Sequence, residues 1–416
     1  MSSYNSVFLR TLDERGFIKQ VTHGEELDSY CGETPVAYVG YDATADSLHV
    51  GSLVGIMGLR HFQKAGGKPI VLIGGGTTKV GDPTDKEKSR PILTEDQIAS
   101  NAKGIMKAFE PFLTFGDGPT DAIMVNNADW LDKLGYIEFL RDIGKYFTIN
   151  TMVKQDSVAR RLKAEQPYTF LEFNYLLLQS YDFLELSRRQ NCQLQMGGSD
   201  QWGNIVGGAD LIHKADGGQG FGLTWPLITT ASGGKMGKTA DGAVWLNADR
   251  KSPYDYWQFW RNTEDADVGR FLKLFTELPL DEIARLEALE GADINQAKIA
   301  LANAATTMMH GAKAAQEAEG AASKAFTGGG VSADLPTFEI SKADNPDGAT
   351  TTALLRAAEL AKSNGEARRK MAEGAVRVND DKIGEDQVHA WTDILADVDA
   401  FKVQIGKKRI ALVKPV

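Results

Sequence analysis

Short apolar runs alternate with helical patterns along residues 36–229, and this alternation restricts the possible folds of the chain more than any other feature. The strand-like runs are 36–41, 69–73, 123–125, 192–196 and 223–229. The helical patterns are 49–66, 95–112, 130–143, 171–186 and 202–214. Strands that alternate with helices of this length predict right-handed βαβ units and a parallel sheet.

A parallel sheet also predicts where a ligand binds, because ligands lie beyond the carboxyl ends of its strands. Four polar or glycine-rich segments stand at or just after the predicted strands: 38–42, 74–82, 196–201 and 232–239. We expect these segments to line one crevice at the same edge of the sheet.

The remaining pattern predicts further regions. Residues 253–326 are helical throughout, 327–348 are rich in Gly, Pro and Asp, and the last segment has two short helices before strand-like pieces. We predict an α/β fold with a Rossmann-like parallel-sheet domain over 1–250, an all-helical region over 251–326, a linker over 327–349 and a small α+β domain over 350–416.

Composition narrows the class of protein. Among 416 residues there are two cysteines, which cannot form a disulfide framework or a four-cysteine metal site. The N-terminus lacks a signal-peptide pattern and the apolar runs are too short to cross a bilayer, so we expect a cytoplasmic protein with no membrane partner.

The net charge of −10 disfavours nucleic acid as a partner of the whole chain. Residues 363–416 differ, with ten Lys and Arg against nine Asp and Glu.

The stretch "ADSLHVGSL" places His49 and Gly51 where a strand has ended and a helix begins. A helix N-terminus offers free N–H groups to phosphate, so His49 and Gly51 are candidates for nucleotide binding. The alternative is structural, with Asp46 or Ser47 simply capping the helix.

A second stretch, "GGKMGKT", carries Lys235 and Lys238 on either side of Gly237, followed by Thr239. Two such lysines on a loop can neutralise a polyphosphate during group transfer, although a solvated basic turn has the same pattern. The glycine-rich "IGGGTTKVGDP" is not a P-loop, since Lys-Ser or Lys-Thr does not follow its Gly74–Gly81 spacing.

Together the two stretches resemble the HIGH and KMSKS signatures of class I aminoacyl-tRNA synthetases. "YVGYDATADSLHVGSL", "GDPT", "NYLLLQSYDFL" and "QMGGSDQWGN" resemble the tyrosyl-tRNA synthetase family, and this resemblance spans essentially the whole chain. Both signatures depart from their best-known forms: Ser52 replaces the second histidine of HIGH, and KMGKT replaces KMSKS.

The resemblance implies an enzyme that activates L-tyrosine with ATP and then transfers it to the 3′-terminal ribose of tRNA(Tyr). Mg²⁺ is expected to accompany ATP, with no dedicated protein metal site and no prosthetic group. The implied catalytic residues are His49, Lys235, Lys238 and Thr239. The implied tyrosine-binding residues are Tyr38, Asp42, Asp82, Tyr175, Gln179, Asp182 and Gln201. The implied ATP-binding residues are Gly40, Thr44, His49, Gly51, Ser52, Lys86, Arg90, Asp200, Lys235 and Lys238.

The C-terminal segment resembles the small RNA-binding domain of S-four ribosomal-protein type, and 251–326 would assist it on the anticodon side. Its implied RNA-binding residues are Arg368, Arg369, Lys370, Lys407, Lys408 and Arg409; the alternative is an amphipathic helix with solvated charges. The family is homodimeric, and the candidate dimer surface lies near 130–148, where the same apolar pattern also fits plain core.

Two other functions compete with the ligase. A nucleotidyltransferase of related fold that acts on a small molecule would explain His49 and Lys238 but leave the basic tail without a role. A non-catalytic RNA-binding protein on a synthetase scaffold, such as a splicing or processing protein, would tolerate loss of His49, Lys235 and Lys238, yet all three are present.

Overall fold

A computed structural model describes residues 2–84, 93–234, 236–239, 242–327, 335–395, 398–406 and 409–416. The chain divides into two compact units. The first comprises Met1–Ser252 and Phe259–His310, and the second comprises Pro253–Gln258 and Gly311–Val416.

The first unit holds the alternating elements. From the N-terminus they are α1 (Val7–Glu14), β1 (Gln20–Val21), α2 (Gly24–Cys31), β2 (Val36–Asp42), α3 (Leu53–Lys64), β3 (Lys68–Gly74), α4 (Glu95–Phe109), β4 (Ile123–Asn126), α5 (Ala128–Leu131), α6 (Tyr136–Asp142), α7 (Ile149–Met152), α8 (Asp156–Lys163) and α9 (Phe170–Phe173). They continue with α10 (Tyr175–Gln190), β5 (Leu194–Gly198), α11 (Trp202–Asp216), β6 (Phe221–Trp225), β7 (Lys238–Thr239) and β8 (Gly242–Ala243). Helices follow: α12 (Pro253–Arg261), which runs across the division between the units, α13 (Val268–Phe275), α14 (Leu280–Glu287) and α15 (Ile294–His310).

Within the described residues, six strands form the main sheet in the order β1-β6-β5-β2-β3-β4. All neighbours are parallel except β1, which pairs antiparallel with β6 at the edge. The predicted parallel α/β fold is therefore confirmed. From β2, the strands β3 and β4 are added on one side of the sheet, whereas β5 and β6 are added on the other side. The direction of addition therefore reverses between β2 and β5. In parallel sheets, ligands bind at such a reversal.

The two strands at this reversal diverge. β2 pairs with β5 only at Ala37↔Leu194 and Tyr38↔Gln195, although β2 continues to Asp42 and β5 to Gly198. Because the carboxyl-terminal halves of the strands separate, side chains from both enter the gap. The same halves also lead into the polar segments singled out in the sequence.

Local chemistry explains where several elements begin and end. β3 is buried from Pro69 onward, which is typical of a central parallel strand covered on both faces. Thr94 and Gln97 form a capping box at the start of α4. Asn191 ends α10 in the left-handed region at φ 51°.

The structure corrects three predicted bounds. The helical pattern 130–143 is two helices, α5 and α6, because the chain turns before Gly135, the N-cap of α6. The pattern 171–186 is likewise α9 followed by α10. The strand predicted over 223–229 ends at Trp225, since Pro226 has no N–H to continue the ladder.

The predicted all-helical region 251–326 is not a unit of its own. α13, α14 and α15 belong to the first unit, and polar contacts explain why. The Arg15 guanidinium donates to the carbonyls of Lys273, Thr276 and Leu278, and Arg60 on α3 forms an ion pair with Glu277 at 2.8 Å. These contacts attach the helices to the sheet domain, so α13–α15 are part of the first unit.

The second unit contains a separate core. Its further elements are α16 (Ala312–Thr327), β9 (Thr337–Ile340), β10 (Ala349–Thr350), α17 (Thr351–Ala357), α18 (Asn364–Ala372), β11 (Val376–Val378), β12 (Asp381–Ile383), β13 (Val388–His389), β14 (Phe401–Ile405) and β15 (Arg409–Pro415). Five of the described strands form a sheet in the order β12-β11-β14-β15-β9. Leu354, Leu355 and Phe401 are fully buried in its core.

The linker predicted over 327–349 is only partly a linker. β9 lies within it and pairs parallel with β15, from Thr337↔Leu412 to Ile340↔Pro415. This edge strand has only four residues, and the Gly, Pro and Asp residues around it led to the prediction of a linker. Part of the predicted linker, 328–334, lies outside the described residues.

Across the ranges that the structure describes, no helix is both long and apolar enough to span a membrane.

Candidate active site

Three of the predicted site residues share one face of β2. Tyr38, Gly40 and Asp42 are two apart, so their side-chain positions point to the same side of the sheet. Tyr38 is buried, Gly40 is exposed and Asp42 is half-buried at the strand end. The strand therefore runs from an apolar interior to an open polar edge, with Thr44 exposed just beyond it.

Helix α10 supplies the facing side chains. Tyr175, Gln179 and Asp182 are four and three residues apart and lie on one helix face. Tyr175 Oη donates to Asp42 Oδ2 at 3.4 Å, which joins the first residue of this helix to the end of β2. The structure thus brings together two predicted groups that are more than 130 residues apart in sequence.

The loop after β3 and the turn after β5 complete this polar cluster. Gln201 Nε2 donates to Asp82 Oδ2 at 2.8 Å. Asn204 Nδ2 donates to both Gln179 Oε1 and Gln201 Oε1 at 3.1 Å. Asp200 lies half-buried in the same turn, Ser199–Gln201.

Asp182 is the most deeply placed carboxylate of the cluster. Its Oδ1 accepts from Trp130 Nε1 at 2.7 Å and its Oδ2 accepts from Asn127 Nδ2 at 2.9 Å. Burial raises the pKa of Asp182 to about 7, although the two hydrogen bonds act in the opposite direction by favouring the anion. The carboxylate is held in one orientation by two neutral donors and remains an acceptor.

Tyr38 lies beside this carboxylate. Burial first, and then the negative charge of Asp182, raise the pKa of the Tyr38 phenol well above its ordinary value. Its Oη is buried and finds no hydrogen-bond partner in the described part of the chain. A buried hydroxyl without a partner costs free energy, which a ligand that hydrogen-bonds to it would recover.

Asn127, Trp130 and Thr77 were not identified from the sequence. Asn127 Nδ2 also donates to Thr77 Oγ1 at 3.0 Å, and Asn127 Oδ1 accepts from the Gly76 N–H at 2.7 Å. Thr77 Oγ1 in turn donates to Asp42 Oδ1 at 2.9 Å. The available signal was the position of Asn127, directly after a strand whose carboxyl end reaches the same edge of the sheet.

A hydrogen bond to the backbone fixes the tautomer of the His49 imidazole ring. His49 precedes the turn Val50–Ser52, and its Nδ1 accepts from the Gly51 N–H at 3.0 Å. The ring proton therefore resides on Nε2, which is a donor. Helix capping by Asp46 or Ser47 is not found: Ser47 Oγ accepts instead from the Asn247 N–H at 3.3 Å.

The loop of the second signature lies against the first. A Cβ built on Gly51 would stand 3.1 Å from the Met236 carbonyl oxygen. A Cβ on Gly237 would stand 3.1 Å from both Gly51 N and His49 Nδ1, and Gly237 has φ +83°. Two glycines thus allow the two backbones to touch, and β7 and β8 then form a ribbon in which Lys238 pairs with Ala243.

Several predicted residues have no described side chain. Lys86, Arg90 and Lys235 lie outside the described residues, and for Lys238 and Thr239 the structure describes the backbone alone. In the second unit, Arg368 and Arg369 are exposed on α18 beside Lys370, and Arg409 is exposed on β15, whereas Lys407 and Lys408 lie outside the described residues. Carboxylates neighbour two of these cations, with Arg368 Nε 3.7 Å from Asp386 Oδ2 and Lys370 Nζ 2.7 Å from Glu373 Oε2.

Known proteins match the chain along its length. The family model for tRNA synthetases class I (W and Y) matches residues 32–327. Proteins named tyrosine–tRNA ligase are 60% identical in Caulobacter vibrioides, over 100% of this chain and 99% of that protein, and 54% identical in Mesorhizobium japonicum, over 100% of both. A crystal structure of a C-terminally truncated mitochondrial tyrosyl-tRNA synthetase from Aspergillus nidulans aligns with a TM-score of 0.68 at 29% identity, covering 76% of this chain and 92% of that one.

The family match covers more than half of the chain, and the relatives align from end to end. The polar cluster that includes Asp42, Asp82 and Gln201 lies at the carboxyl edge of the sheet, and the two signature segments contact each other at Gly51 and Gly237. The chain belongs to the class I tRNA synthetases of the tryptophan and tyrosine family.

Proposed function

We propose that this protein is a tyrosine–tRNA ligase. It joins L-tyrosine to ATP as tyrosyl-adenylate with release of pyrophosphate, and then transfers the tyrosyl group to the 3′-terminal ribose of tRNA(Tyr). The observation that carries the proposal is the buried pair of Asp182, an oriented carboxylate, and Tyr38, whose hydroxyl lacks a partner in the described chain. A phenol would satisfy both groups.

Tyrosine selection follows from this pair. The substrate phenol O–H donates to Asp182, and its oxygen accepts from Tyr38 Oη. Phenylalanine would leave the buried Tyr38 hydroxyl unpaired and would give Asp182 no further donor. A polar group that is buried without a partner costs more free energy than the loss of one hydrogen bond in water. Asp82, Tyr175 and Gln179 supply acceptors for the substrate ammonium group, and Asp42 and Gln201 hold the polar end.

The first chemical step is attack at phosphorus. An oxygen of the tyrosine carboxylate bonds to the α-phosphorus of ATP, and the bond from that phosphorus to the bridging oxygen breaks, so pyrophosphate leaves with the electron pair. ATP enters as its Mg²⁺ complex, with the ion on phosphate oxygens and water. The chain donates no nucleophile, so positioning and charge stabilisation carry the catalysis.

The roles at the ATP end follow from residue chemistry. Gly40, Thr44, Gly51 and Asp200 border the nucleotide, and the Nε2–H of His49 donates to a phosphate oxygen. Lys235, Lys238 and Thr239, with Lys86 and Arg90, neutralise the negative charge that forms on the leaving pyrophosphate. In the second step a ribose hydroxyl of the tRNA bonds to the tyrosyl carbonyl carbon. The bond from that carbon to the phosphate oxygen breaks, AMP leaves with the electron pair, and the hydroxyl proton is released.

Ser52 makes a smaller contribution than His49. The hydroxyl is shorter than imidazole and reaches the ribose directly or through water. We expect Ser52→Ala to weaken activation by about 1 kcal/mol, measured as kcat/KM for ATP in pyrophosphate exchange. A loss as large as that of His49→Ala would contradict this assignment.

We further propose a homodimer whose surface includes α6, within the predicted residues 130–148, and also exposed apolar residues of α8 and α9 outside that range. Ile137 is 72% exposed and Phe170 is 66% exposed, and Tyr136, Leu162 and Leu171 are also exposed. Phe170 is not on a loose segment, because buried Arg161 and Glu172 form an ion pair at 2.7 Å in the same region. Trp130 and Phe139, within the predicted surface 130–148, are instead core residues.

Phe170→Asp is expected to convert the dimer to a monomer, because it adds a charge to one of the exposed apolar side chains proposed for this surface. Sedimentation velocity at micromolar concentration measures the change. Val7→Asp is the matched control, since Val7 is 56% exposed on α1. A Phe170→Asp protein with the wild-type sedimentation coefficient would place the dimer surface elsewhere.

The second unit is proposed to bind tRNA as an S-four-type domain over 350–416, through phosphate contacts of Arg368, Arg369, Lys370, Lys407, Lys408 and Arg409. Such binding depends on salt concentration and has little sequence specificity.

The cytoplasm is the proposed location, because tRNA charging supplies the translation machinery there. The free thiols of Cys31 and Cys192 are compatible with its reducing conditions.

Tyrosine-dependent exchange of pyrophosphate into ATP, followed by charging of tRNA(Tyr), tests the function. The proposal expects exchange with tyrosine and transfer to tRNA. Exchange without transfer would favour the small-molecule nucleotidyltransferase, and tRNA binding without exchange would favour the non-catalytic RNA-binding protein.

A further inference from the structure

Gly104 stands in the interior of α4, where glycine costs about 1 kcal/mol relative to alanine. A glycine is required here because the backbone of another segment lies against the helix. A Cβ at this position would lie 1.9 Å from the carbonyl oxygen of Asp46 and 2.7 Å from its carbonyl carbon. Helix α4 therefore packs directly on the main chain of the segment that leads into His49.

The same helix face makes a second contact with this segment. Asn101, one turn before Gly104, donates from Nδ2 to the carbonyl of Ala43 at 2.8 Å. The Ala43 N–H in turn donates to Thr78 Oγ1 at 2.8 Å. Residues 43–46 are thus fixed to α4 at both ends.

The opposite side of the segment is held by residues 244–247. The Leu246 N–H donates to the Leu48 carbonyl at 2.8 Å, and the Val50 N–H donates to the Val244 carbonyl at 2.9 Å. Asn247 connects the two sides, because its Nδ2 donates to the Gly104 carbonyl at 2.9 Å while its N–H donates to Ser47 Oγ at 3.3 Å. The Val244 N–H also donates to the Gly237 carbonyl at 3.0 Å.

We propose that Gly104 and Asn247 are positioning residues for the ATP-dependent step. They set the distance between α4 and residues 43–50, and so determine where His49 and Gly51 stand relative to the loop that contains Gly237. Neither residue touches a reacting atom. The inference rests on the proposed function for its kinetic readout, but its structural readout is independent of that function.

The expected displacement is large enough to matter. Real Cβ contacts essentially never fall below 3.0 Å, so an alanine at 104 must move the 1.9 Å contact apart by about 1 Å. A misplacement of about 1 Å in a catalytic site costs on the order of 10²-fold in rate. The tyrosine pocket at Tyr38 and Asp182 is held by other contacts, with Asn127 and Trp130, and is expected to keep its affinity.

Gly104→Ala is expected to lower the rate constant of tyrosine activation by about 10- to 100-fold, with the Kd for tyrosine within twofold of wild type. Hydrogen–deuterium exchange should show faster amide exchange in residues 43–51. Gly320→Ala is the matched control, because Gly320 is also a helical glycine but has open space around its Cβ position. We expect it to keep the wild-type rate.

Asn247→Ala is the second variant, since it removes the Gly104 contact without adding an atom and decides the question if Gly104→Ala does not fold. It is expected to slow activation about three- to tenfold, again with an unchanged Kd for tyrosine. The double variant should lose less than the product of the two single effects, because both act through one segment.

Wild-type activation rates in folded Asn247→Ala, or an equal loss of tyrosine affinity in either folded variant, would overturn the inference. The proposed function fails differently, through absence of tyrosine-dependent exchange in the wild-type protein. In that event, amide exchange of residues 43–51 still decides: unchanged protection in the folded variants would overturn the positioning role, and lost protection would support it.

Discussion

Asp182→Asn is expected to lower kcat/KM for tyrosine by about 10²- to 10³-fold. The variant loses the carboxylate that we propose accepts from the substrate phenol, and its amide directs N–H groups toward the donors Asn127 and Trp130. Hydrogen bonds to charged groups contribute about 1.5–3 kcal/mol each, which corresponds to this range when the network is also disturbed. Pyrophosphate exchange at varied tyrosine concentration measures the effect.

Glu185→Gln is the matched control, because Glu185 is a buried carboxylate three residues further along α10 that pairs with Arg188 and Arg189 instead. It is expected to leave kcat/KM for tyrosine close to the wild-type value. Equal losses in the two variants would mean that α10 as a whole, rather than the Asp182 carboxylate, determines tyrosine binding.

The pKa of about 7 adds a dependence on pH to this prediction. The folded pKa of Asp182 lies above its unfolded value, so the folded state holds the extra proton and loses stability as the pH rises from about 4 to 7. The destabilisation caused by Asp182→Asn, measured by denaturant unfolding, should therefore shrink between pH 5 and pH 8. A constant difference across this range would contradict a raised pKa.

Lys238→Ala is the second change with a large expected effect. Lys238 follows Gly237, whose backbone touches the His49 segment, so the lysine starts beside the proposed triphosphate position. If it neutralises charge that forms only in the transition state, its loss lowers the rate of adenylate formation by about 10²- to 10³-fold and leaves the Kd for tyrosine nearly unchanged. Single-turnover kinetics and equilibrium binding separate the two quantities.

Lys251→Ala serves as the control for removal of one lysine charge outside residues 235–239 and is expected to keep the wild-type rate. Single-turnover rates that do not change in Lys238→Ala would remove this lysine from the mechanism. A parallel loss of tyrosine affinity would instead assign it a role in ground-state binding.

Much of the sheet follows from the sequence because its central strands are apolar and sit between helices with clear periodicity. β2, β3 and β4 begin and end within one residue of the predicted runs. The meeting of Asp42, Asp82, Tyr175 and Gln201 also follows, since parallel strands place their carboxyl ends at one edge.

Other features depend on contacts that no local pattern reveals. Asn127 and Trp130 orient Asp182, yet in sequence Trp130 stands at the start of an apolar helical pattern and predicts only core packing. β9 is a short edge strand between turn-forming residues, and its partner β15 lies about seventy residues further along. The attachment of α13–α15 to the first unit depends on Arg15 and Arg60, whose partners are far away in sequence.

A crystal structure with a non-hydrolysable analogue of tyrosyl-adenylate tests the central claim most directly. If the claim holds, the phenol oxygen of the bound analogue lies at about 2.7–3.0 Å from both the Asp182 carboxylate and Tyr38 Oη, and its phosphate lies beside His49 Nε2 and Gly51. An analogue whose ring lies outside the Tyr38–Asp182 pocket, or whose phosphate lies away from His49, would contradict it.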